Sequence, residues 1–258
     1  MTEPKLLVAT DGAVRLLTLN RPEMKNALDR ELVLALGAAL DSAATDPSVR
    51  AVVLTGAGDA FCSGADLKSA MGGGVGDLGE RMDEYHRMIR AIARAPKPFI
   101  AAVSGVAVGF GADLALACDL RIFAEHAYLQ ERFVKLGLMP DGGGSHWLPR
   151  LVGLGRAMEF LMLGTRLDAA RCEALGIANR VVASSELEGA ALALARELAQ
   201  GAPLALARIK QAVRASAADV DAALDREKAG QLELLVSKDL MEGVLAWAQR
   251  RDPVFTGE

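Results

Sequence analysis

The sequence predicts an α/β fold, in which short apolar strands alternate with longer amphipathic helices. Two apolar stretches, 5–10 and 13–19, flank an Asp-Gly pair that is typical of a tight hairpin turn. The segment 29–44 then carries apolar residues at helical spacing, behind Asp29 as a candidate helix cap. Residues 49–55 are largely apolar and end at glycines, which predicts a buried strand followed by a turn.

The alternation continues to about residue 123. Helical spacing at 80–94 precedes an apolar strand at 98–103, a short helix at about 111–117 and a strand at about 118–123. The glycine-rich segment 69–79 predicts a loop. This order of elements favours a layered core of strands and helices.

The chain changes character after about residue 185. Four segments rich in Ala, Leu, Glu, Arg and Lys have helical patterns: 186–200, 203–216, 219–236 and 239–249. We expect a C-terminal helical region that packs on the core or on a neighbouring subunit.

Composition and charge exclude several classes of protein. Hydrophobic residues make up 52% of the 258 residues, which is enough for a large core and an oligomer interface. The 29 basic and 33 acidic residues give a net charge of −4, without the basic surface that nucleic-acid binding requires. No apolar run approaches the length of a membrane span, and the N-terminus lacks a signal-peptide pattern. We therefore expect a cytoplasmic protein that binds neither nucleic acid nor membrane.

The cysteines and histidines give no sign of a metal centre. The three cysteines are widely spaced in apolar surroundings, which indicates buried thiols in a reducing compartment: Cys62, Cys118 and Cys172. His126 and His146 have no partner at ligand spacing, so no metal site is expected. His86 lies in a polar helical stretch and is predicted to be solvated.

A single acid, Asp141, has the most unusual setting in the chain. It stands between Pro140 and three glycines, just before an apolar helical pattern. Proline fixes the approaching backbone, and glycines let the chain turn sharply and come close to a ligand. Turns also recruit Asp for local hydrogen bonds. The segment therefore predicts either a catalytic acid or a turn residue.

Two further segments could present backbone amides. Residues 60–68 place small residues and Gly64 after a strand, so their N–H groups could point outward as an oxyanion site requires. The alternative there is an ordinary strand-to-helix turn capped by Asp66. Residues 104–113 contain three glycines that open a helix, which favours either anion-binding amides or tight packing of helix on sheet. Their spacing does not fit a dinucleotide fingerprint.

Four ordered motifs resemble the crotonase family, the enoyl-CoA hydratases and isomerases. They are LNRPEMKNAL (19–28), FCSGADL (61–67), KPFIAAVSG (97–105) and a C-terminal pair, MEG (241–243) with AQRR (248–251). The resemblance implies a spiral of ββα units, related to that of ClpP, over residues 1–195. It implies a helical oligomerisation region over 196–258, which builds trimers that often pair into hexamers.

The resemblance also implies an acyl-CoA thioester as substrate. Coenzyme A is then part of the substrate, and no separate cofactor is expected. The thioester oxygen would be held by the backbone N–H groups of Ser63 and Phe110. The residues that would line the CoA and acyl path are Lys25, Ala27, Ala65, Asp66, Leu67, Gly109 and Phe133. Arg250 or Arg251 could reach the CoA phosphates from the C-terminal helix.

Two departures from the family pattern bear on the chemistry. Typical hydratases of this family use two glutamates, whose positions here hold Asp113 and Phe133. Water addition needs one group to deprotonate water and usually a second to share the proton, and phenylalanine can do neither. The segment from Phe133 to Gly144 resembles instead the branch of isomerases of phenylacetate degradation, in which one carboxylate at the position of Asp141 suffices.

The sequence thus predicts an acyl-CoA isomerase with Asp141 as its proton carrier. Asp113 would hydrogen-bond Asp141 or water, or cap and orient its helix. The alternatives are a hydratase in which Asp113 and Asp141 jointly handle water, and a non-catalytic acyl-CoA binder that kept the fold.

Overall fold

The chain begins with the predicted hairpin. In the computed structural model, which describes residues 3–66, 69, 78–215, 233 and 237–258, strands β1 (Leu6–Asp11) and β2 (Val14–Leu19) pair antiparallel. The helices and the other strands follow in chain order: α1 (Arg30–Thr45), β3 (Ala51–Gly56), α2 (Leu78–Arg94), β4 (Phe99–Val103), β5 (Val106–Val108), α3 (Phe110–Ala117), β6 (Leu120–Ala124), β7 (Tyr128–Gln130), α4 (Gly144–Val152), α5 (Leu154–Leu163), β8 (Arg166–Asp168), α6 (Ala169–Ala174), β9 (Arg180–Val182), α7 (Leu187–Gln200), α8 (Pro203–Ala215) and α9 (Lys238–Gln249).

The strands form two sheets that share a repeating connection. The larger sheet has the order β1-β2-β3-β4-β6-β9 and is parallel from β2 onward, and the smaller sheet has the order β5-β7-β8. Parallel neighbours need a crossover, which helices supply here. β4 and β6 in the larger sheet are each followed by a strand of the smaller sheet and then by a helix. This is the predicted ββα spiral.

The core lies between the larger sheet and the helices on its faces. Every residue of β4 is buried, as expected for a parallel strand that is covered on both faces. Helix α1 begins after Asp29, whose side chain accepts the Leu32 N–H at 2.9 Å, so the predicted cap is confirmed. Helix α7 buries Ala191 and Ala195. The predicted domain division at residue 195 thus falls inside a helix that packs on the larger sheet.

The C-terminal part of the chain is helical where it is described. Helices α8 and α9 match the predicted segments 203–216 and 239–249, and α7 matches 186–200. The predicted helix 219–236 and the predicted loop 69–79 lie almost entirely outside the described residues. Among the helices in the described ranges, none is long and apolar enough to cross a membrane.

The Asn26 side chain forms hydrogen bonds with three backbone groups near the carboxyl end of β3. Its side chain is completely buried. The amide nitrogen donates to Ala57 O at 3.0 Å and to Ala60 O at 2.7 Å, and the amide oxygen accepts the Arg21 N–H at 2.9 Å. Buried backbone groups need such partners because they have left water. Asn26 therefore fixes the start of the 60–66 segment, which borders the candidate site.

We expect Asn26→Ala to lower the free energy of unfolding by about 2 kcal/mol or more, because it leaves buried backbone groups without partners. Denaturant unfolding followed by circular dichroism measures the change. Asn20→Ala is the matched control, since its hydrogen bond to Pro4 O is exposed. Equal losses in the two variants would contradict this role for Asn26.

Candidate active site

Asp141 lies in the turn that leads into α4. The turn follows a short 3-10 helix, Phe133–Leu136, and its chain reaches α4 through Gly143 in a left-handed conformation. The Asp141 side chain is half-buried, with Oδ1 fully covered and without a hydrogen-bond partner in the described structure. The backbone carbonyl of Asp141 lies 3.0 Å from Nε2 of His86 on α2. The His86 ring therefore holds the backbone of the turn at Asp141.

Asp113 lies directly beneath this turn. It is in the first turn of α3 and is completely buried. Its Oδ2 accepts the Gly142 N–H at 2.9 Å, which ties the turn to α3. This bond orients the turn, a role that was not predicted from the sequence for Asp113, whose side chain is completely buried.

A third acid, Glu131, completes a buried cluster with Asp113 and Asp141. Glu131 is 2% exposed, and neither carboxyl oxygen has a hydrogen-bond partner within the described ranges. Burial raises the pKa of Glu131 well above 4.5, and the Asp113 and Asp141 charges raise it further. The pKa of Asp113 is also raised, first by burial and then by the charge of Asp141.

Asp141 differs from the other two acids in its access to solvent. Its pKa is raised by partial burial, and the nearby charge of His86 opposes the increase. A half-buried carboxyl with a raised pKa is suited to exchanging protons, because it holds a proton more readily than a free carboxyl and still meets a ligand.

The N-terminus of α3 presents the backbone amide of Phe110. This N–H group donates to no acceptor in the described part of the chain. Gly64 lies over it: a Cβ at Gly64 would lie 3.5 Å from Phe110 N and 2.8 Å from Val108 O. Glycine at this position thus keeps the space in front of the amide open. The Phe110 N–H, which is predicted to hold a thioester oxygen, is therefore available to a ligand oxygen.

The Phe61, Cys62, Ser63 and Asp66 amides of the 60–66 segment are paired, which corrects for them the expectation that they point outward without partners. The Cys62 N–H donates to Val106 O at 2.9 Å, and the Ser63 N–H donates to Lys25 O at 3.0 Å. The physical reason is strand-like pairing, since Cys62 forms a parallel bridge with Ala107. A thioester oxygen bound by the Ser63 amide would have to compete with the Lys25 carbonyl.

Aromatic rings lie near the start of α3. Phe133 is buried, and its Cζ would be 3.8 Å from a Cβ at Gly109. The Tyr85 ring of α2 packs edge-on against the Phe110 ring with centroids 4.5 Å apart. The Tyr85 hydroxyl donates to Leu28 O at 3.2 Å. Phe133 and Gly109, both predicted to line the acyl path, are thus neighbours.

The remaining predicted binding residues belong to two segments that meet at the hydrogen bond from the Leu28 N–H to Gly64 O. Lys25 is exposed and Ala27 is buried, while Ala65 is half-buried and bridges to Leu28. Asp66 forms an ion pair with Arg21 at 3.0 Å.

The other predicted contacts have mixed outcomes. Leu67 lies outside the described residues. Arg251, one candidate for the CoA phosphates, pairs with Glu242 at 2.6 Å, and Arg250 is exposed. Among the described residues, no group of three or more His, Cys, Asp or Glu side chains could hold a metal ion.

Sequence reasoning missed Glu131 and misjudged His86. His86 was predicted to be solvated, but it is half-buried and contacts the Asp141 carbonyl, because α2 packs against the turn. A signal for Glu131 was present in the sequence. Leu129, Glu131 and Phe133 alternate with polar residues, and all three are buried, so the period of a strand places the glutamate inward.

Comparisons with known proteins identify the family of this chain. A family model described as enoyl-CoA hydratase/isomerase matches residues 9–258. A 1,2-epoxyphenylacetyl-CoA isomerase of Escherichia coli K12 is 40% identical over 258 residues, and the match covers 98% of each chain. A probable enoyl-CoA hydratase of Rhodobacter capsulatus is 40% identical over 242 residues, or 93% of each chain.

A solved structure supports the same assignment. The crystal structure of an enoyl-CoA hydratase from Bacillus anthracis matches with a TM-score of 0.94 at 34% identity, covering 98% of this chain and 100% of that one. The ββα spiral and the four sequence motifs thus agree with both kinds of comparison. The chain belongs to the enoyl-CoA hydratase/isomerase (crotonase) family.

Proposed function

We propose that this enzyme is an acyl-CoA isomerase that moves a double bond in an enoyl-CoA thioester, with Asp141 as its single proton carrier. The observation that carries the proposal is the unequal exposure of the three acids. Asp113 and Glu131 are 0% and 2% exposed, whereas Asp141 is half-buried. A ligand can therefore reach only one of them.

The proposed reaction needs one acid and one oxyanion site. The Asp141 carboxylate takes a proton from the α-carbon of the acyl chain, and the electron pair moves to the thioester oxygen to give an enolate. The Phe110 amide donates to this oxygen, and the Ser63 amide joins it only by leaving the Lys25 carbonyl. The Asp141 carboxyl then returns the proton to the γ-carbon. Removing one such donor typically lowers kcat by roughly 10²- to 10³-fold.

Hydration is the second candidate, because the relatives include a probable hydratase. It would require Asp113 and Asp141 to hold a water together. The full burial of Asp113 and its hydrogen bond to Gly142 oppose this, as does the phenyl ring of Phe133. A non-catalytic binder is less favoured, since it has no need of a half-buried acid beside a thioester.

We also propose an assembly, which rests on exposed apolar side chains, and a location, which rests on buried thiols. Large apolar side chains are exposed before α4 and along α5, which supports a homotrimer or hexamer: Leu136, Leu138, Met139, Leu154, Met158, Met162 and Leu163. The three buried free thiols support a cytoplasmic location. We propose no cofactor, because coenzyme A would enter as part of the substrate.

We expect Asp141→Asn to lower kcat for isomerisation by about 10²- to 10⁴-fold, the usual loss on removing a general acid/base. Binding of the CoA thioester should change little, because the amide is nearly the same size. Isomerisation is followed by absorbance and binding by calorimetry. Asp83→Asn, which alters an exposed acid on α2, is the control. Wild-type turnover in Asp141→Asn would reject the assignment.

Isotope labelling separates isomerisation from hydration. With crotonyl-CoA in heavy-oxygen water, we expect label at the β-carbon to appear far more slowly than deuterium is exchanged into the acyl chain in heavy water. Mass spectrometry measures both. Rapid incorporation of oxygen label would favour the hydratase, and the absence of both exchanges would favour a binder.

His86 should tune Asp141 as well as hold it. A carbonyl oxygen only accepts, so His86 Nε2 must carry a proton toward Asp141 O. The charge of His86 lowers the pKa of Asp141. We therefore expect His86→Gln, which keeps a donor without a charge, to shift the acidic limb of the kcat profile toward higher pH. An unchanged profile would show that His86 acts on Asp141 only as a hydrogen-bond donor.

A further inference from the structure

Glu131 is an acid that the proposed reaction does not use. It follows β7 and is 2% exposed, and neither of its carboxyl oxygens has a hydrogen-bond partner in the described structure. No cation among the described residues forms an ion pair with it or with Asp113. A buried carboxyl in such surroundings is unfavourable as an isolated anion.

The Asp113 carboxyl faces Glu131 across Gly144. A Cβ at Gly144 would lie 2.7 Å from Glu131 Oε1 and 2.9 Å from Asp113 Oδ1. Both oxygens thus border the same small space, which the absence of a side chain leaves open. Asp113 Oδ1 is likewise without a partner in the described part of the chain, while Asp113 Oδ2 accepts from Gly142.

Two anions cannot share that space, but a carboxylic acid and a carboxylate can. Burial and the charge of Asp113 raise the pKa of Glu131, whereas the Gly142 N–H, which donates to Asp113, opposes the rise in the pKa of Asp113. Glu131 is therefore the member that keeps the proton. A protonated carboxyl has one O–H donor. Donated to Asp113 Oδ1, this hydrogen would stabilise the anionic form of Asp113 that binds the Gly142 N–H most strongly.

We propose that Glu131 is a positioning residue, which shares one proton with Asp113 and through Asp113 and Gly142 fixes the turn that carries Asp141. Its effect on turnover rests on the proposed function of Asp141. Its effect on folding stability does not.

The charged groups around the pair come from three elements. Asp113 faces Glu131 from α3, and Asp141 acts on both from the turn before α4. His86 of α2 contacts the backbone carbonyl of Asp141 and so reaches the pair only through Asp141. The groups that act on the pair are therefore acids, which favour keeping its proton. The folded chain keeps this proton to a higher pH than the unfolded chain does, so rising pH should destabilise the folded chain.

The test compares the wild type with Glu131→Gln, which keeps a donor to Asp113 but has no titrating proton. Above its ordinary pKa of 4.5, Glu131 keeps its proton in the folded chain and loses it on unfolding. Wild-type stability therefore falls as pH rises toward the folded-state pKa. The unfolding constant of the wild type, relative to that of the variant, should rise by up to about tenfold per pH unit.

Denaturant unfolding from about pH 5 to about pH 8 measures this ratio. Glu173→Gln, which alters an exposed glutamate that accepts the Val181 N–H, is the matched control and should show no such trend. A ratio for Glu131→Gln that stays constant with pH would overturn the shared proton.

Steady-state kinetics then tests positioning. We expect Glu131→Leu to lower kcat by about fivefold or more with little change in KM, because it removes the donor to Asp113. Glu131→Gln should restore most of kcat. Equal losses of kcat in both variants would overturn positioning through the hydrogen bond. Inactivity of the wild type on every enoyl-CoA would instead reject the proposed function and leave the stability result standing.

Discussion

One buried hydrogen bond, from the Gly142 N–H to the Asp113 carboxyl, determines the geometry of the whole site. Phe110 and Asp113 belong to the first turn of the same helix. The helix that offers the free amide therefore also holds the turn that carries Asp141. Asp141 and the Phe110 amide are fixed relative to each other because the turn of Asp141 is hydrogen-bonded to the helix that begins at Phe110. Proton transfer next to a developing oxyanion depends on such alignment.

This arrangement carries an electrostatic conflict, because its central acceptor is an acid that burial tends to neutralise. Burial and the charge of Asp141 both oppose ionisation of Asp113. The Gly142 N–H and the N-terminus of the helix favour the anion instead. A second acid beside Asp113 would destabilise the Asp113 anion if it were ionised. If it were protonated, it would stabilise that anion by donating a hydrogen bond. The shared proton of Glu131 removes the conflict without bringing a cation into the core.

Periodicity and capping in the sequence predicted the elements up to about residue 123 and the C-terminal helices, whereas the ββα spiral was implied by the family resemblance. The hairpin, the Asp29 cap and the C-terminal helices depend on local chemistry, which a sequence displays directly. The candidate site was only partly predictable. The exposure of Asp141 followed from its Pro/Gly setting, but the Ser63 N–H pairs with the Lys25 carbonyl. That pairing joins segments distant in sequence, and no local pattern encodes it.

Glu131 illustrates how tertiary packing changes the meaning of a residue. A charged residue is usually placed on the surface, yet strand alternation aligns Glu131 with buried Leu129 and Phe133. The chain thus has an acid, Glu131, close to Phe133, which stands where typical hydratases of the family have a glutamate. The Glu131 carboxyl lies beside Asp113 of α3 in the core and does not face the ligand. An acid in this position can set the charge of Asp113, but it cannot hold a substrate water. Of the three carboxyls in the described part of the site, Asp141 alone is accessible to a ligand, which supports the proposed proton transfer over the addition of water.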